Sequence, residues 1–444
     1  MNIYKNLFAW KRGVAFIILL SFLPLGSPAQ SDKSENLLGL TDIIQQVINN
    51  YPSIKKAEQD IEAANARIGL AKSAYYPLID VLATYTRLGP VTSLTIPTLG
   101  TFTMNPADNY DAELDYKQMI YDFGKTSGKI DLERQNKLLS QLSMEQLKQQ
   151  LSLSLLGNYY SLLYLQEAIQ IKDEELKTLG EHLNFVEKQE ATGTSTQYAV
   201  LSTKVRISTT ENQKTDLQTS LQVLQAQLNS FMGNPHDYRL TVKEDLLSPT
   251  LLDANEKLIN NAYRQRDELK IVRQRSEVAF THYHLAGIAN NPEFSFFAAG
   301  GVKNGYIPDL NVWKANYIAG LSFKLPIFDG YKVKYNRQQI QSEINSVEQD
   351  TELARRNITN EVVENRANVD AALKKIGQQE LQLKQAQQAY ELAQTSFQAG
   401  TITNLDLLDS ETALAESRLA LMKSKIDYTV SLLKLKIAIG EQIY

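Results

Sequence analysis

The stretch QMIYDFGKTSGKID, residues 118–131, recurs in outline as LPIFDGYKVKYNRQ, residues 325–338. Each stretch passes from an apolar, strand-like segment through an aromatic residue, an Asp and a Gly into a long polar segment. Within these stretches an offset of 207 residues relates Ile120-Tyr121-Asp122 to Ile327-Phe328-Asp329. The same offset relates two further sets of positions: Gly193-Thr194 and Gly400-Thr401, and Gly233 and Gly440. A register without gaps over residues 120–233 indicates an internal duplication.

Upstream of this register the offset changes to 215 residues, because Pro77 corresponds to Pro292 and Ile54-Lys55 to Leu269-Lys270. The first half therefore has eight extra residues between Pro77 and Ile120. Length changes are tolerated in loops, so we expect a loop there.

Both halves predict the same order of elements. A helix, about 42–74 or 254–287, ends near a Pro that opens an extended segment. A turn-rich stretch follows, containing Gly89-Pro90 in the first half and Gly300-Gly301 in the second. A second extended segment leads into the Asp-Gly motif, a very long helix, a Gly-Thr break and another long helix. We therefore predict a first repeat at 30–233, a connecting segment at 234–253 and a second repeat at 254–444.

The second extended segment of each half alternates strictly between two faces. In residues 110–120 one face is mainly apolar and aromatic and the other is charged; the two sets are Tyr110, Ala112, Leu114, Tyr116, Gln118, Ile120 and Asp111, Glu113, Asp115, Lys117. Residues 313–325 alternate in the same way. These segments have the length and pattern of tilted membrane strands, but a half-buried strand of a soluble sheet alternates too. Four strands alone in lipid would leave two unpaired edges, so either the sheet is soluble or several protomers share one barrel.

The long helices carry a period of 3.5 residues, which indicates left-handed coiled-coil seams. The seams are formed by Leu405, Leu408, Thr412, Ala415, Leu419, Met422, Ile426, Thr429 and Leu433, and by Ile340, Ile344, Val347, Thr351, Ala354 and Ile358. The wall of a hollow tube and a solvated coiled-coil hairpin both fit this pattern.

Residues 1–29 have the properties of a secretory signal peptide: three basic residues, an apolar stretch at 14–23 and a Ser-Pro-Ala exit before Gln30. The remaining chain has 43 basic and 50 acidic residues, an acidic balance that argues against nucleic-acid binding. It contains no cysteine, so an exported chain of this kind relies on packing or assembly instead of disulfides.

The order of elements, the two Asp-Gly passages, the tips EATGTST and FQAGTIT and the stretch VINNYPSIKKA together resemble the TolC-type outer-membrane efflux channels over about residues 37–440. The resemblance implies an α+β membrane protein in the outer membrane of a Gram-negative bacterium. It also implies a homotrimer. Each protomer would give four strands to a twelve-stranded transmembrane β-barrel, and its long helical hairpins would form part of an α-barrel through the periplasm.

The function implied is a passive exit channel of a tripartite efflux or type I secretion system. Its partners would be a periplasmic adaptor and an inner-membrane pump. The alternative is a protein that is not a channel, namely a periplasmic coiled-coil adaptor or scaffold with a soluble β-domain.

Four groups of residues are candidates for particular roles. Asp122 and Asp329, with Gly124 and Gly330, are predicted to cap the helices that follow the strands. Asp406 and Asp409 are three residues apart and share one helix face. They are either acids that a helix N-terminus favours or, by the resemblance, part of an acidic ring at the periplasmic constriction. Three protomers would place six carboxylates around the pore, and such closely spaced like charges either raise some of their pKa values or bind cations. Gly193, Thr194, Gly400 and Thr401 form tight turns and, by the resemblance, the tips that an adaptor contacts. Ile402 stands where some relatives place a basic residue that locks the closed gate.

No catalytic, cofactor or metal site is predicted. GKTSGK at 124–129 resembles a phosphate loop, but that motif requires a glycine where Met119 stands. His282 and His284 are two residues apart and do not face each other on a helix. The sequence therefore predicts a protein that is not an enzyme.

Overall fold

The computed structural model describes residues 37–444, so the predicted signal peptide lies outside the described residues. The first half contains β1 (Leu37–Leu38), α1 (Leu40–Asn50), α2 (Pro52–Ser73), β2 (Leu78–Arg87), β3 (Ser93–Ile96), β4 (Gly100–Thr103), β5 (Asp108–Tyr121), α3 (Lys125–Ala191) and α4 (Gln197–Met232). The remainder contains β6 (Thr241–Val242), α5 (Asn255–Gln265), α6 (Asp267–Gly287), β7 (Glu293–Lys303), β8 (Lys314–Lys324), α7 (Lys332–Gln398) and α8 (Asn404–Ala438). The two halves thus share the predicted order of helices, strand pair and long helices.

The principal sheet has four antiparallel strands in the order β2-β5-β7-β8, so the two halves meet along β5 and β7. Its register separates the two kinds of side chain. Leu114 pairs with Val81 and Gly300 on one face, whereas the adjacent Asp115 pairs with Asp80 and Ala299 on the other. The apolar face is exposed: Tyr317 retains 89% of its accessible surface.

Aromatic side chains gather at both ends of the apolar face. At one end the ring of Tyr110 lies 5.1 Å from Tyr85 and 5.4 Å from Trp313. At the other end Phe294 lies 4.8 Å from Phe323. Between these two clusters the apolar face consists of aliphatic residues, Ala, Gly and Gln118, with three further aromatic residues, Tyr116, Phe296 and Tyr317.

Two features of the strand pairs differ from the prediction. The pair Gly300-Gly301 was predicted at the boundary between a strand, about 293–301, and a turn-rich stretch, but it lies inside β7, opposite Leu114 and Glu113 of β5. At Gly301 the backbones approach so closely that a Cβ atom would meet the Ala112 carbonyl oxygen at 2.1 Å. Glycine is therefore required by a close approach and not by a turn. The other feature is a small ribbon, β3–β4, inside the stretch predicted only as a loop.

The long helices α3 and α7 contain 67 residues each, and α4 and α8 contain 36 and 35. A helix of 67 residues is about 100 Å long. α3 packs along α4 and α7 along α8, and we refer to these pairs as the first and second hairpins. The second hairpin contacts the first mainly through α8, which packs against α3 and, less extensively, α4. Near the tips the ring of Phe397 in α7 also lies 5.2 Å from that of His182 in α3.

Most of the buried apolar residues lie where the short helices α1 and α5 cross the hairpins. One cluster includes Ile43, Leu155, Tyr159 and Leu228, and a second includes Ala262, Val362 and Tyr428. The seam predicted for α8 is buried at Leu408, Ala415, Ile426 and Thr429, while Leu405 at its start is 46% exposed. None of the helices within residues 37–444 combines the length and the apolar character needed to cross a membrane.

Candidate channel constriction and helix tips

The two strand-to-helix passages place their Asp residues just before the helix. Asp122 Oδ2 accepts from the Thr126 backbone N–H at 2.6 Å, and Asp329 Oδ2 accepts from the Val333 N–H at 2.9 Å. The residues directly before the helices are Gly124 and Tyr331, so the Asp carboxylates make their capping hydrogen bonds from outside the N-cap position. The carboxylates reach the first helical turn from two residues upstream, because each helix begins later than the sequence suggested.

Between each Asp and its helix lie two residues with left-handed backbone conformation. In the first half they are Phe123 and Gly124, with φ of 53° and 92°; in the second they are Gly330 and Tyr331, with φ of 69° and 65°. The same turn is therefore made with the glycine in opposite positions. The aromatic residue adopts the strained conformation in both halves, which the neighbouring carboxylate hydrogen bonds hold in place.

The helix tips form two matching turns. In the first, Gly193 has φ of 74° and the Thr194 N–H donates to the Gln189 carbonyl at 2.8 Å. In the second, Gly400 has φ of 71° and the Thr401 N–H donates to the Ser396 carbonyl at 2.9 Å. Both are Schellman motifs, which require a left-handed residue and so favour glycine. All four tip residues are exposed.

Asp406 is part of a capping box at the start of α8. Its Oδ2 accepts from the Thr403 N–H at 2.9 Å and from the Thr403 hydroxyl at 2.7 Å, while Thr403 Oγ1 accepts from the Asp406 N–H at 3.2 Å. These hydrogen bonds, that of the hydroxyl first, hold the pKa of Asp406 below its ordinary value. The first hairpin lacks this arrangement because the third residue after its N-cap Thr196 is Ala199, which has no carboxylate.

Asp409 forms an ion pair with the first hairpin. Arg206 Nη2 in α4 lies 2.6 Å from Asp409 Oδ1 in α8, and the Asp409 side chain remains 62% exposed. Asp406 and Asp409 therefore both lie at the surface near the second tip, but each already has a partner within its own protomer. The structure thus brings the predicted pair of acids together on one side of α8.

A polar network that the sequence did not indicate joins the hairpins beside this pair. Asn404 donates to the Ala199 carbonyl at 3.2 Å and to the Ser202 hydroxyl at 3.1 Å, and its Oδ1 accepts from His182 Nε2 at 2.6 Å. Burial lowers the pKa of His182, although the hydrogen bond to Asn404 opposes this. The neutral imidazole with a proton on Nε2 fits the network.

Farther along α8, two carboxylates are buried where the hairpins meet. Glu175 of α3 and Glu411 of α8 are each only 6% exposed. Glu175 Oε2 lies 2.8 Å from Lys172 Nζ, and its Oε1 accepts from Thr210 Oγ1 of α4 at 3.3 Å. Glu411 Oε1 has no hydrogen-bond partner among the described residues. This pair lies outside every motif that the sequence analysis selected.

The motifs that were set aside have other surroundings. Lys125, from the stretch that resembles a phosphate loop, forms an ion pair with Glu293 at 2.9 Å. His282 and His284 lie in α6. Within residues 37–444 there is no group of three or more metal-ligating side chains.

A four-stranded sheet with an exposed apolar face, joined to helices about 100 Å long, is typical of the class of outer-membrane channel proteins. The sequence matches the family described as Outer membrane efflux protein over residues 43–234 and 258–441, and the chain belongs to that family. The prediction of a TolC-type outer-membrane efflux channel is thereby confirmed, and the periplasmic adaptor alternative is not supported.

Relatives and solved structures agree with this assignment. The chain is 24% identical to the alkaline protease secretion protein AprF of Pseudomonas aeruginosa, with 98% of this chain and 89% of that protein covered. It is 22% identical to the outer membrane protein TolC of Vibrio cholerae, covering 94% and 93%. The crystal structure of the outer membrane protein VceC of Vibrio cholerae has the same fold, with a TM-score of 0.72, 18% identity and coverage of 91% and 97%.

Proposed function

We propose that three copies of the protein close their sheets into one twelve-stranded barrel and their hairpins into one tunnel. The observation that carries this proposal is the strand order: β2 and β8 each have one edge without a partner strand in the described chain. An unpaired strand edge in lipid leaves backbone groups unsatisfied, each at a cost of several kcal/mol. Because the four strands alternate in direction, β8 of one copy meets β2 of the next as an antiparallel neighbour.

The two faces of the sheet support a membrane position for this barrel. Tyr110 and Tyr121 lie at opposite ends of β5, about 37 Å apart along a strand with a rise of about 3.4 Å per residue. A tilt of about 40° reduces this to about 28 Å, close to the apolar band of about 25 Å in outer-membrane barrels. Aromatic clusters at both ends then lie at the two membrane interfaces, and the charged face containing Asp111, Glu113 and Asp115 lines the lumen.

In this proposal the protein is a passive duct without catalytic activity, whose tips at Gly193-Thr194 and Gly400-Thr401 receive a periplasmic adaptor linked to an inner-membrane pump. The relatives include proteins named for protease secretion and for cation efflux, so the family accommodates both large and small cargo. The exposed tips support the adaptor contact, because glycine leaves backbone open to close approach.

Asp406 and Asp409 form the acidic ring of the proposed channel, at its periplasmic end. Both carboxylates are exposed in the protomer and adjoin the second tip, so three copies contribute six carboxylates around the axis. Charged rings of this kind select cations. Opening is then a shift of α7 and α8 away from α3 and α4.

The assembly is tested by extracting the protein from outer membranes in detergent and measuring its mass by native mass spectrometry, followed by single-channel recording in planar bilayers. We expect a trimer that conducts ions. A monomer that remains soluble without detergent and produces no conductance would overturn the proposal.

A further inference from the structure

The buried carboxylates of Glu175 and Glu411 differ from the exposed acids of the proposed ring, although Glu411 follows Asp409 by only two residues in α8. They come from different hairpins, since Glu175 lies in α3 and Glu411 in α8, and Thr210 of α4 contacts Glu175 at 3.3 Å. Glu411 faces α3 across the contact between the hairpins, where it shares a cavity with Ile171, Glu175 and Thr178. A motion that separates α8 from α3 therefore exposes Glu411 to water.

The two carboxylates are stabilised unequally. Glu175 has the Lys172 ammonium at 2.8 Å and the Thr210 hydroxyl, so its charge is balanced inside the protein. Glu411 Oε1 has no partner among the described residues although the side chain is nine-tenths buried. An ionised carboxylate in that position would be both desolvated and unpaired, whereas a protonated one carries no charge.

Among the described residues, the arginines around Glu411 already have acidic partners. Arg206 of α4 is paired with Asp409 at 2.6 Å, and Arg418 of α8 lies 3.2 Å from Glu174 of α3. Tyr390 of α7, with Glu181 and His182 of α3, lines the adjoining cavity of about 200 Å³. Desolvation and the charge of Glu175 raise the pKa of Glu411 to about 8, against a smaller opposing effect of Arg206.

We propose that Glu411, together with Glu175, forms a proton-binding site that holds the second hairpin against the first, so that the hairpins separate with release of one proton per protomer. In the closed contact Glu411 is protonated and neutral. When α8 moves away, water solvates the carboxylate and the proton is lost. A second cavity of about 90 Å³, lined by Glu175, Glu411 and Tyr390, has room for the first water molecules.

The direction of the pH dependence follows from the raised pKa. A solvated Glu411 has its ordinary pKa, near 4.5, whereas the buried group keeps its proton up to about pH 8. Within this interval the closed form binds one more proton than the open form, so raising the pH favours opening by at most tenfold per pH unit in each protomer. Above about pH 8 both forms are ionised and the dependence ends.

His182 has to be separated from this effect because it faces the same cavity. Its pKa is lowered from 6.5, so between that lowered value and pH 6.5 it favours the closed contact more strongly as the pH rises. Above pH 6.5 His182 is neutral in both forms. The interval from pH 6.5 to 8 therefore isolates Glu411.

The experiment uses hydrogen–deuterium exchange of the detergent-solubilised full chain, following residues 404–416 in the wild type and in Glu411→Gln at each pH. Gln has the shape of the protonated acid and cannot ionise, and comparison at equal pH cancels the intrinsic pH dependence of amide exchange. We expect the ratio of wild-type to Glu411→Gln exchange to rise between pH 6.5 and 8 and to level off above 8. The matched control Glu416→Gln, an exposed acid on the same helix, should behave as the wild type.

A ratio that stays constant over this interval would overturn the proton site. Glu175→Gln gives an independent test, because loss of the like charge and release of Lys172 both lower the pKa of Glu411 and move the pH dependence to lower pH. An unchanged pH profile in that variant would also overturn it. Conductance recorded in parallel rests on the proposed channel function: pH-linked exchange without conductance would support the proton site while contradicting the channel assembly.

Discussion

Arg206 in α4 and Asp409 in α8 form an ion pair at 2.6 Å between residues that are 203 positions apart in the sequence. One acid of the proposed ring is therefore held by the other hairpin of its own protomer. The ring and the contact that keeps the hairpins together share a carboxylate, so a change in one affects the other.

Removing this ion pair should favour separation of the hairpins. We expect Arg206→Gln to raise the mean single-channel conductance modestly, because a partly exposed ion pair contributes about 0.2–1 kcal/mol. Lys204→Gln is the matched control, since it breaks an ion pair to Glu187 inside the first hairpin. Equal conductance of Arg206→Gln and the control would contradict a role for the pair in closure.

Neutralising the ring should change ion selectivity. The double variant Asp406→Asn/Asp409→Asn should lower the permeability ratio of K⁺ to Cl⁻, measured as a reversal potential across a salt gradient, and should weaken block by multivalent cations. Glu190→Gln, an exposed acid close to the first tip, serves as the control. If selectivity and block remain as in the wild type, the ring assignment is wrong.

A methyl group at Gly301 should disrupt the centre of the sheet. In Gly301→Ala the new Cβ would lie 2.1 Å from the Ala112 carbonyl oxygen, so β7 has to move away from β5. We expect a loss of about 1–3 kcal/mol, typical of overpacking, seen as a lower thermal midpoint in detergent. Gly300→Ala provides a neighbouring control because its nearest atom is 3.9 Å away, and an equal midpoint shift in both variants would refute the explanation.

Truncating Asp122 should destabilise the passage from strand to helix. Asp122→Ala leaves the Gly124 and Thr126 N–H groups without their acceptor. Loss of such a cap costs about 1 kcal/mol. Asp122→Asn keeps an oxygen acceptor and should lose less, so denaturation in detergent that ranks the two variants in the opposite order would argue against a capping role.

The network at His182 should make the tip sensitive to acid. Since burial lowers the pKa of His182, the stability contributed by the buried neutral imidazole is fully present above pH 6.5 and is lost as the pH falls through the lowered value. Amide exchange at residues 404–410 should therefore increase below pH 6.5, relative to His182→Gln at the same pH. His236→Gln, an exposed histidine outside the tips, should retain the wild-type behaviour. If His182→Gln shows the same increase in exchange below pH 6.5, a group other than His182 causes the acid sensitivity.

Local sequence signals predicted the elements well where they depend on periodicity. The alternation of residues 110–120 gave strand β5, and the 3.5-residue period gave the buried positions Ile340, Ile344 and Ile358 of α7. The duplication predicted two matching sets of helices and strands, and the eight extra residues fall in the loop that contains β3 and β4.

Contacts between distant segments could not be predicted in the same way. Gly300-Gly301 has the composition of a turn, and only the approach of β5 explains its place in a strand. Glu411 belongs to a polar helix in which many acids are solvated, and its burial depends on α3, more than 200 residues earlier. The left-handed conformation of Phe123, which separates Asp122 from the start of α3, is likewise not suggested by its residue type.

The equal size of α3 and α7, 67 residues each, sets a constraint on how the protein can change in length. Removing one heptad from each helix of a single hairpin would shorten it by about 10 Å at 1.5 Å per residue. In the proposed trimer the periplasmic rim would then be uneven, because every second hairpin around it would end about 10 Å short. We therefore expect the length of the tunnel to change only when both hairpins gain or lose the same number of residues. The internal duplication gives the two hairpins the equal starting length that this requires.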